Sequence, residues 1–167
     1  AGPLDEDTLM LLNHKSAIEF MVDAVPTEGI TVPVTVDLQA KLMRDLLRDT
    51  RDIGSIRRRV VNIDGSVYTP SSIPSLLEET LNVIVDKVRS IRNPVEAAFF
   101  LWVNLAYLQP FADGNKRTSR LSANMPLMLY NCAPLSFLDV ERSDYATAML
   151  GIYEQRARRA FHEMTPI

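Results

Sequence analysis

The chain has 167 residues, 47% hydrophobic and 23% charged: enough to bury a core as one domain, and too apolar for a disordered chain. Its formal net charge of -3 disfavours a broad cationic face for nucleic acid and requires any anion site to concentrate positive charge locally. One cysteine, Cys132, excludes an intrachain disulfide, and no leader-like or uninterrupted apolar segment stands out, so a cytoplasmic protein without a membrane segment is expected, its oligomeric state unread. The opening Ala-Gly-Pro is compatible with an expression scar or with the cut edge of a longer protein, in which residues 1–167 would form a single domain.

Periodicity predicts helices arranged around one small hairpin. Acidic residues followed by Leu11, Leu12, Ile18 and Val22 predict a helix from about Asp5 to Val22, with Pro26 and Gly29 breaking the pattern. A second helix should start near Thr35 or Asp37, turn Leu38, Leu42 and Leu46 or Leu47 inward, and end near Thr50. From Arg57 to Pro70 the period changes: β-branched residues flank Asp64-Gly65, which suits a tight turn, so a β-hairpin is expected, packed on something larger. The arginines Arg57 to Arg59 are read as a solvated entrance to it.

Ser71 or Ser72 should cap a helix that carries Pro74 in its first turn and runs to about Val88. Residues 93–108 are apolar around almost the whole helical circumference, which places that helix at the centre of a bundle, with Phe99, Phe100, Trp102 and Tyr107 as packing groups and Tyr107 the one nearest a pocket. After a polar loop the helical pattern resumes until Pro126 bends it, and a last helix starting between Asp139 and Asp144 directs Tyr145, Met149, Ile152 and Tyr153 inward. His14 and His162 lack a metal-ligand spacing, and Cys132 has no histidine signature beside it.

The polar loop, Gln109 to Arg120, reads "QPFADGNKRTSR". Gly114 allows a sharp turn into the next helix, whose first amides open toward an anion, and Lys116, Arg117 and, one turn on, Arg120 surround the same mouth. A carboxylate beside phosphate is repulsive unless a divalent cation is shared, so Asp113 argues for a nucleotide with magnesium over phosphate alone. The order of residues is neither the dinucleotide-binding glycine pattern nor the glycine-lysine phosphate loop.

The stretch resembles the central motif of the Fic domain family, His-Pro-Phe-x-Asp/Glu-Gly-Asn-Gly-Arg-x-x-Arg, with Pro110, Phe111, Asp113, Gly114, Asn115, Arg117 and Arg120 at the matching positions. The segments "LLNHKSAIEF", "GSIRRRVVNIDGSVYTP", "NPVEAAFFLWVNLAYLQPF" and "SRLSANMPL" carry the likeness over most of the chain. The resemblance implies a mainly helical Fic-fold bundle with a β-hairpin flap. It also implies transfer of AMP from ATP, with Mg²⁺, to a serine, threonine or tyrosine hydroxyl of a protein target. By the same resemblance Asp113 would hold Mg²⁺, Phe111 would anchor the loop, and Asn115 with the amides from Gly114 to Lys116 would meet the phosphates. Arg117 would neutralise the terminal phosphates with Arg120 in support, and the flap, with Val61 and Val67 on its apolar side, would align an extended target segment.

Two positions depart from the pattern. Gln109 stands where the family has the histidine that takes the target hydroxyl's proton, and an amide has no basicity for that role. Gln109 either orients a ligand or caps its helix. Lys116 replaces the second glycine of the loop, adding charge while restricting the backbone. The expected function is therefore a Fic-type nucleotide-binding protein with impaired transfer; the alternative is a noncatalytic nucleotide- or protein-binding module. The inhibitory Ser/Thr-x-x-x-Glu-Gly/Asn pattern of many Fic proteins is not found: Glu28-Gly29 is adjacent, but Ala24 stands upstream.

Overall fold

A computed structural model describes residues 5–136 and 141–164, the side chains of 142 and 157–164 excepted. Among the described residues seven α-helices form the architecture: α1 Glu6–Glu28, α2 Val32–Met43, α3 Pro74–Ser90, α4 Pro94–Leu108, α5 Asn115–Ser122, α6 Asn124–Leu129 and α7 Arg142–Met164, with a 3₁₀ turn at Thr50–Asp52. Helix α4 is central, touching α3, α5 and α6, while α1 pairs with α2. The main core draws Met21, Leu38, Leu42, Leu77, Leu81, Leu101, Leu105 and Met125 from α1, α2, α3, α4 and α6.

Asp5 caps α1 by accepting the amide of Thr8, and the helix continues through Pro26, beyond the expected end at Val22. The Thr27 hydroxyl donates back to the carbonyls of Asp23 and Ala24, and Gly29, at φ 73°, closes the helix. The face turned inward is not the leucine face. Leu11, Leu12, Ile18 and Val22 are exposed, whereas Asn13, Ala17, Met21, Ala24 and Val25 are buried. Small residues at 17 and 24 leave room for the neighbouring helix, and Asn13 Nδ2 reaches across to cap the end of α2 at the carbonyls of Leu42 (3.3 Å) and Arg44 (2.7 Å).

Helix α2 starts earlier than expected, capped by the Thr31 hydroxyl, and stops at Met43, where Arg44 turns to an extended ψ of 126° and Asp45 follows with a left-handed φ of 60°. Helix α3 has no side-chain cap and starts at Pro74 itself, where a missing N–H costs nothing. Helix α4 is capped by Asn93, whose side chain accepts the amides of Val95 and Glu96; Val95 and Phe99 nevertheless face solvent. The expected bend at Pro126 is a break between α5 and α6 at Ala123, leaving the proline in the first turn of α6. Helix α7 starts within the expected range and buries Tyr145, Met149 and Tyr153.

The expected β-hairpin is not formed: the described residues contain no β-strand, and the fold is an all-helical bundle. The turn at Asp64-Gly65 is present, with the Ser66 amide donating to the Ile63 carbonyl at 3.1 Å and Gly65 at φ 80°. Its two arms do not pair. Their polar groups go to side chains instead: Glu154 of α7 accepts Ser66 Oγ (2.6 Å) and the Val67 amide (3.1 Å), Ser66 Oγ accepts the Tyr68 amide, and Arg57 takes the carbonyls of Arg59 and Ser71. Val60 and Val67 are 58% and 85% exposed, so no apolar face holds two strands together, and an isolated pair is marginal without one. The segment is an irregular loop laid across α7 and the end of α4, with Tyr68 stacked on Tyr107 at 4.1 Å between ring centroids. Tyr107 thus packs on this loop and lines a cavity between α3 and α4.

This seam has an alkaline limit. Burial, reinforced by neighbouring Tyr145, pushes the Tyr153 phenol up to about 12, and burial raises that of Tyr68 as well. Unfolded tyrosines ionise near pH ~10, so above that pH the native state holds protons the unfolded chain has released, and stability must fall as pH rises from there through the folded-state value. Stability from these phenols should be fully present below about pH 10, and tyrosinate absorbance followed alongside circular dichroism should show α7 loosening as it is lost.

Candidate functional site

Helix α4 ends at Gln109, which adopts a left-handed conformation (φ 51°, ψ 57°) and turns the chain into the loop 109–114. Phe111, 1% exposed, pins that loop to the core. Asn115 closes it from within: its Oδ1 accepts the Phe111 amide at 2.9 Å and its Nδ2 donates to the Phe111 carbonyl at 2.8 Å. This engages the Asn115 side chain in shaping the loop and leaves its backbone amide at the head of α5. Asp113 Oδ1 accepts the Gly114 amide at 2.5 Å, and the Asp113 carbonyl accepts Gln39 Nε2 from α2 at 3.2 Å.

Gly114 is required by two independent constraints. Its φ is 77°, and a Cβ there would lie 2.6 Å from Met43 Sδ and 2.8 Å from Met43 Cγ. The backbone can therefore pass tightly over α2 and open the first amides of α5, which has no side-chain cap. The first intrahelical bond runs from the Thr118 amide to the Gly114 carbonyl.

A cavity of about 460 Å³ opens over this helix start, walled by Gln109 and Asp113 to Arg117 on one side, by Val61 to Asp64 of the loop on another, and by Tyr145, Met149 and Tyr153 of α7 on the third. Arg117 Nη2 lies 3.2 Å from Met43 Sδ, and its Nη1 is buried with no hydrogen-bond partner among the described residues. A desolvated guanidinium nitrogen without an acceptor is costly unless an anion completes it. Lys116 Nζ lies 5.6 Å and Arg120 Cζ 3.8 Å from the Tyr145 ring centroid, so both cations flank the α7 wall. No cluster of three His, Cys, Asp or Glu able to hold a metal occurs among the described residues. Asp113 alone would have to share a hard cation with ligand oxygens, a coordination that suits Mg²⁺ on a nucleotide.

Gln109 behaves as a cap. Its Nε2 donates to the Ala106 carbonyl at 2.7 Å and its amide to the Leu105 carbonyl, while its side chain still borders the cavity. Val61 reaches the cavity wall; Val67 does not, standing 85% exposed on the far arm.

Three side chains that shape the site were not singled out from the sequence for that role. Gln39, fully buried on α2, holds the Asp113 carbonyl and accepts the Gly54 amide at 2.7 Å. Met43 sets the clearance at Gly114. Arg57, expected at a solvated entrance, is 1% exposed, and burial lowers its guanidinium below its ordinary value. A larger cleft of about 700 Å³ between the 3₁₀ turn and α3 is lined by both signs of charge, with Arg51 paired to Asp49 and Arg59 to Asp52, so it offers no cationic focus.

Comparison with known proteins gives a consistent answer. A "Protein adenylyltransferase Fic" of Nematostella vectensis is 31% identical over 116 residues, 67% of this chain and 27% of that protein. Its counterpart in Drosophila willistoni is 29% identical over 117 residues, 70% of this chain and 23% of that protein. The chain thus spans about a quarter of the length of the curated relatives it matches. Among solved structures, Fic-1 of C. elegans superposes with a TM-score of 0.66 at 21% identity, covering 98% of this chain and 53% of that one. A Fic domain containing signaling protein of Bacteroides thetaiotaomicron VPI-5482 gives 0.63 at 21% identity, covering 92% and 67%. Residues 33–127, more than half of the sequence, match the Fic/DOC family model, and the chain belongs to that family.

Proposed function

We propose that residues 109–120 bind ATP with Mg²⁺, and that the chain as it stands transfers AMP to a protein hydroxyl weakly or not at all. The observation that carries the binding half is the buried, unpartnered Nη1 of Arg117, a residue that lines the same cavity as the uncapped start of α5. Arg117 and those amides would hold the phosphates, Asp113 would hold Mg²⁺, and Lys116 would add charge at the rim. When bound, Mg²⁺ neutralises phosphate charge and orients the nucleotide. Membership in a family whose relatives carry the name adenylyltransferase supports AMP as the transferred group and a protein as the target. A single cysteine fits a reducing compartment such as the cytoplasm. Among the described residues no helix is long and apolar enough to cross a membrane.

A second reading, a noncatalytic binding module, is favoured by one observation: the Gln109 side chain donates through Nε2 to the Ala106 carbonyl and offers no base. The first reading, and the second in its nucleotide-binding form, require the nucleotide site. In calorimetric titration ATP should bind more tightly with Mg²⁺ than without it. Asp113→Ala should abolish that dependence, a loss of about tenfold or more in the Mg²⁺ condition. Mg²⁺-independent binding by the unaltered chain would remove Asp113 from the metal role.

A further inference from the structure

The loop between Arg57 and Pro74 is laddered by nothing, yet the hydrogen bonds at its neck converge on one side chain. Arg57 Nε donates to the Gln109 carbonyl at 2.6 Å, Nη1 to the Arg59 carbonyl at 2.7 Å and Nη2 to the Ser71 carbonyl at 2.5 Å. Its own amide donates to the Pro110 carbonyl at 3.0 Å. Among the described residues no carboxylate pairs with it. A buried guanidinium neutralised only by carbonyl dipoles is an expensive arrangement for packing alone. Its planar fork has one property that an apolar side chain lacks: it fixes three peptide groups in one plane and in fixed directions.

Those three groups belong to the two arms of the loop and to the first residue of the candidate site. Arg59 and Ser71 flank the segment that brings Val61, Asn62, Ile63 and Asp64 to the cavity wall, and Gln109 lines the same cavity. Gln109 has a left-handed backbone, an uncommon conformation for a residue with a Cβ, and its carbonyl is turned to Arg57. We propose that Arg57 is a positioning residue that couples the loop bordering the cavity to the site loop, setting the direction of residue 109 and the spacing of the loop arms together. This deepens, and rests on, the reading of the cavity as a nucleotide site bordered by residues 61–64 of the loop. Arg57 touches neither ligand; it acts through the Gln109 peptide and the neck of the loop.

The test compares Arg57→Met, which removes all three donors, with Arg57→Lys, which keeps a charge but replaces the fork with a single ammonium. Hydrogen exchange resolved by segment reads the local effect. Amides of 60–68 and 110–114 should exchange about tenfold or more faster in Arg57→Met and by an intermediate factor in Arg57→Lys, with α1 and α3 unchanged. Transfer reads the functional effect in a Gln109→His background, at saturating ATP and Mg²⁺. Adding Arg57→Lys should lower the turnover number about tenfold or more while ATP affinity moves by less than about threefold. Wild-type protection in both variants would overturn the coupling, as would acceleration spread evenly over α1 to α4, which marks an ordinary core residue. A chain that fails to bind ATP at all would sink the nucleotide reading and leave the exchange comparison to decide on Arg57 alone.

Discussion

Gln109→His should raise AMP transfer by about 10²- to 10⁴-fold, the usual worth of a positioned general base, with ATP affinity nearly unchanged. In the transfer the target hydroxyl oxygen forms a bond to the α-phosphorus, pyrophosphate leaves, and the hydroxyl proton must go to a base as the bond forms. Glutamine cannot accept it. The backbone at 109 is ready for the replacement: φ 51° lies in the left-handed region, where histidine is among the better tolerated side chains. The carbonyl of residue 109 and its amide keep their partners, Arg57 and Leu105, whatever side chain is present. The replacement gives up the bond from Gln109 Nε2 to the Ala106 carbonyl, a net loss of about 1 kcal/mol that a folded bundle can absorb. Both forms would be incubated with α-labelled ATP, Mg²⁺ and a protein extract, with γ-labelled ATP as the control for phosphoryl transfer. Equal labelling at matched ATP occupancy would refute the missing-base account. Tight ATP binding without label in either form would favour the binding-module reading.

Gly114→Ala should damage the site and the fold together. The left-handed backbone at 114 strains any residue with a Cβ, by about 1–3 kcal/mol, before contacts are considered. The new methyl would also sit 2.6 Å from Met43 Sδ, and Met43 is 1% exposed, with little freedom to move away. The expected results are a melting temperature lower by about 2–12 °C and a loss of ATP affinity of about tenfold or more, because the amides at the head of α5 would no longer converge. Combining it with Met43→Ala should relieve the clash but not the backbone strain, making the two stability losses less than additive. Strict additivity in thermal denaturation would mean that Met43 does not set the clearance.

The tight turn and open helix start at 109–117 were legible because their geometry is local. Phe111, Asp113, Gly114 and Arg117 lie within seven residues, and the transition from apolar helix to glycine to basic helix start is readable as a turn with open amides. The position of the last helix and its inward face at Tyr145, Met149 and Tyr153 followed from period alone. The flap failed for the opposite reason. Its β-branched residues and Asp64-Gly65 turn are right for a hairpin, but whether arms pair depends on what else can satisfy their polar groups. Here the competitors are Arg57 at the neck and Glu154, some 87 residues away along the chain. Helix α1 misled in a similar way, since hydrophobicity marks Leu11 and Ile18 while close packing selects Ala17 and Ala24 and the cap on α2 selects Asn13. Gln39 and Arg57 leave no local trace, because a buried polar residue is recognisable only from the carbonyls that surround it in three dimensions.

Whether residues 109–120 cradle a nucleotide is tested most directly by a crystal structure of the chain with a non-hydrolysable ATP analogue and Mg²⁺. The expected result is phosphate oxygen on Arg117 Nη1 and on the amides at the head of α5, with the cation between the phosphates and Asp113. A nucleotide seated elsewhere, or phosphates drawn instead into the cleft beside Arg51 and Arg59 with Arg117 Nη1 left as it is, would contradict it.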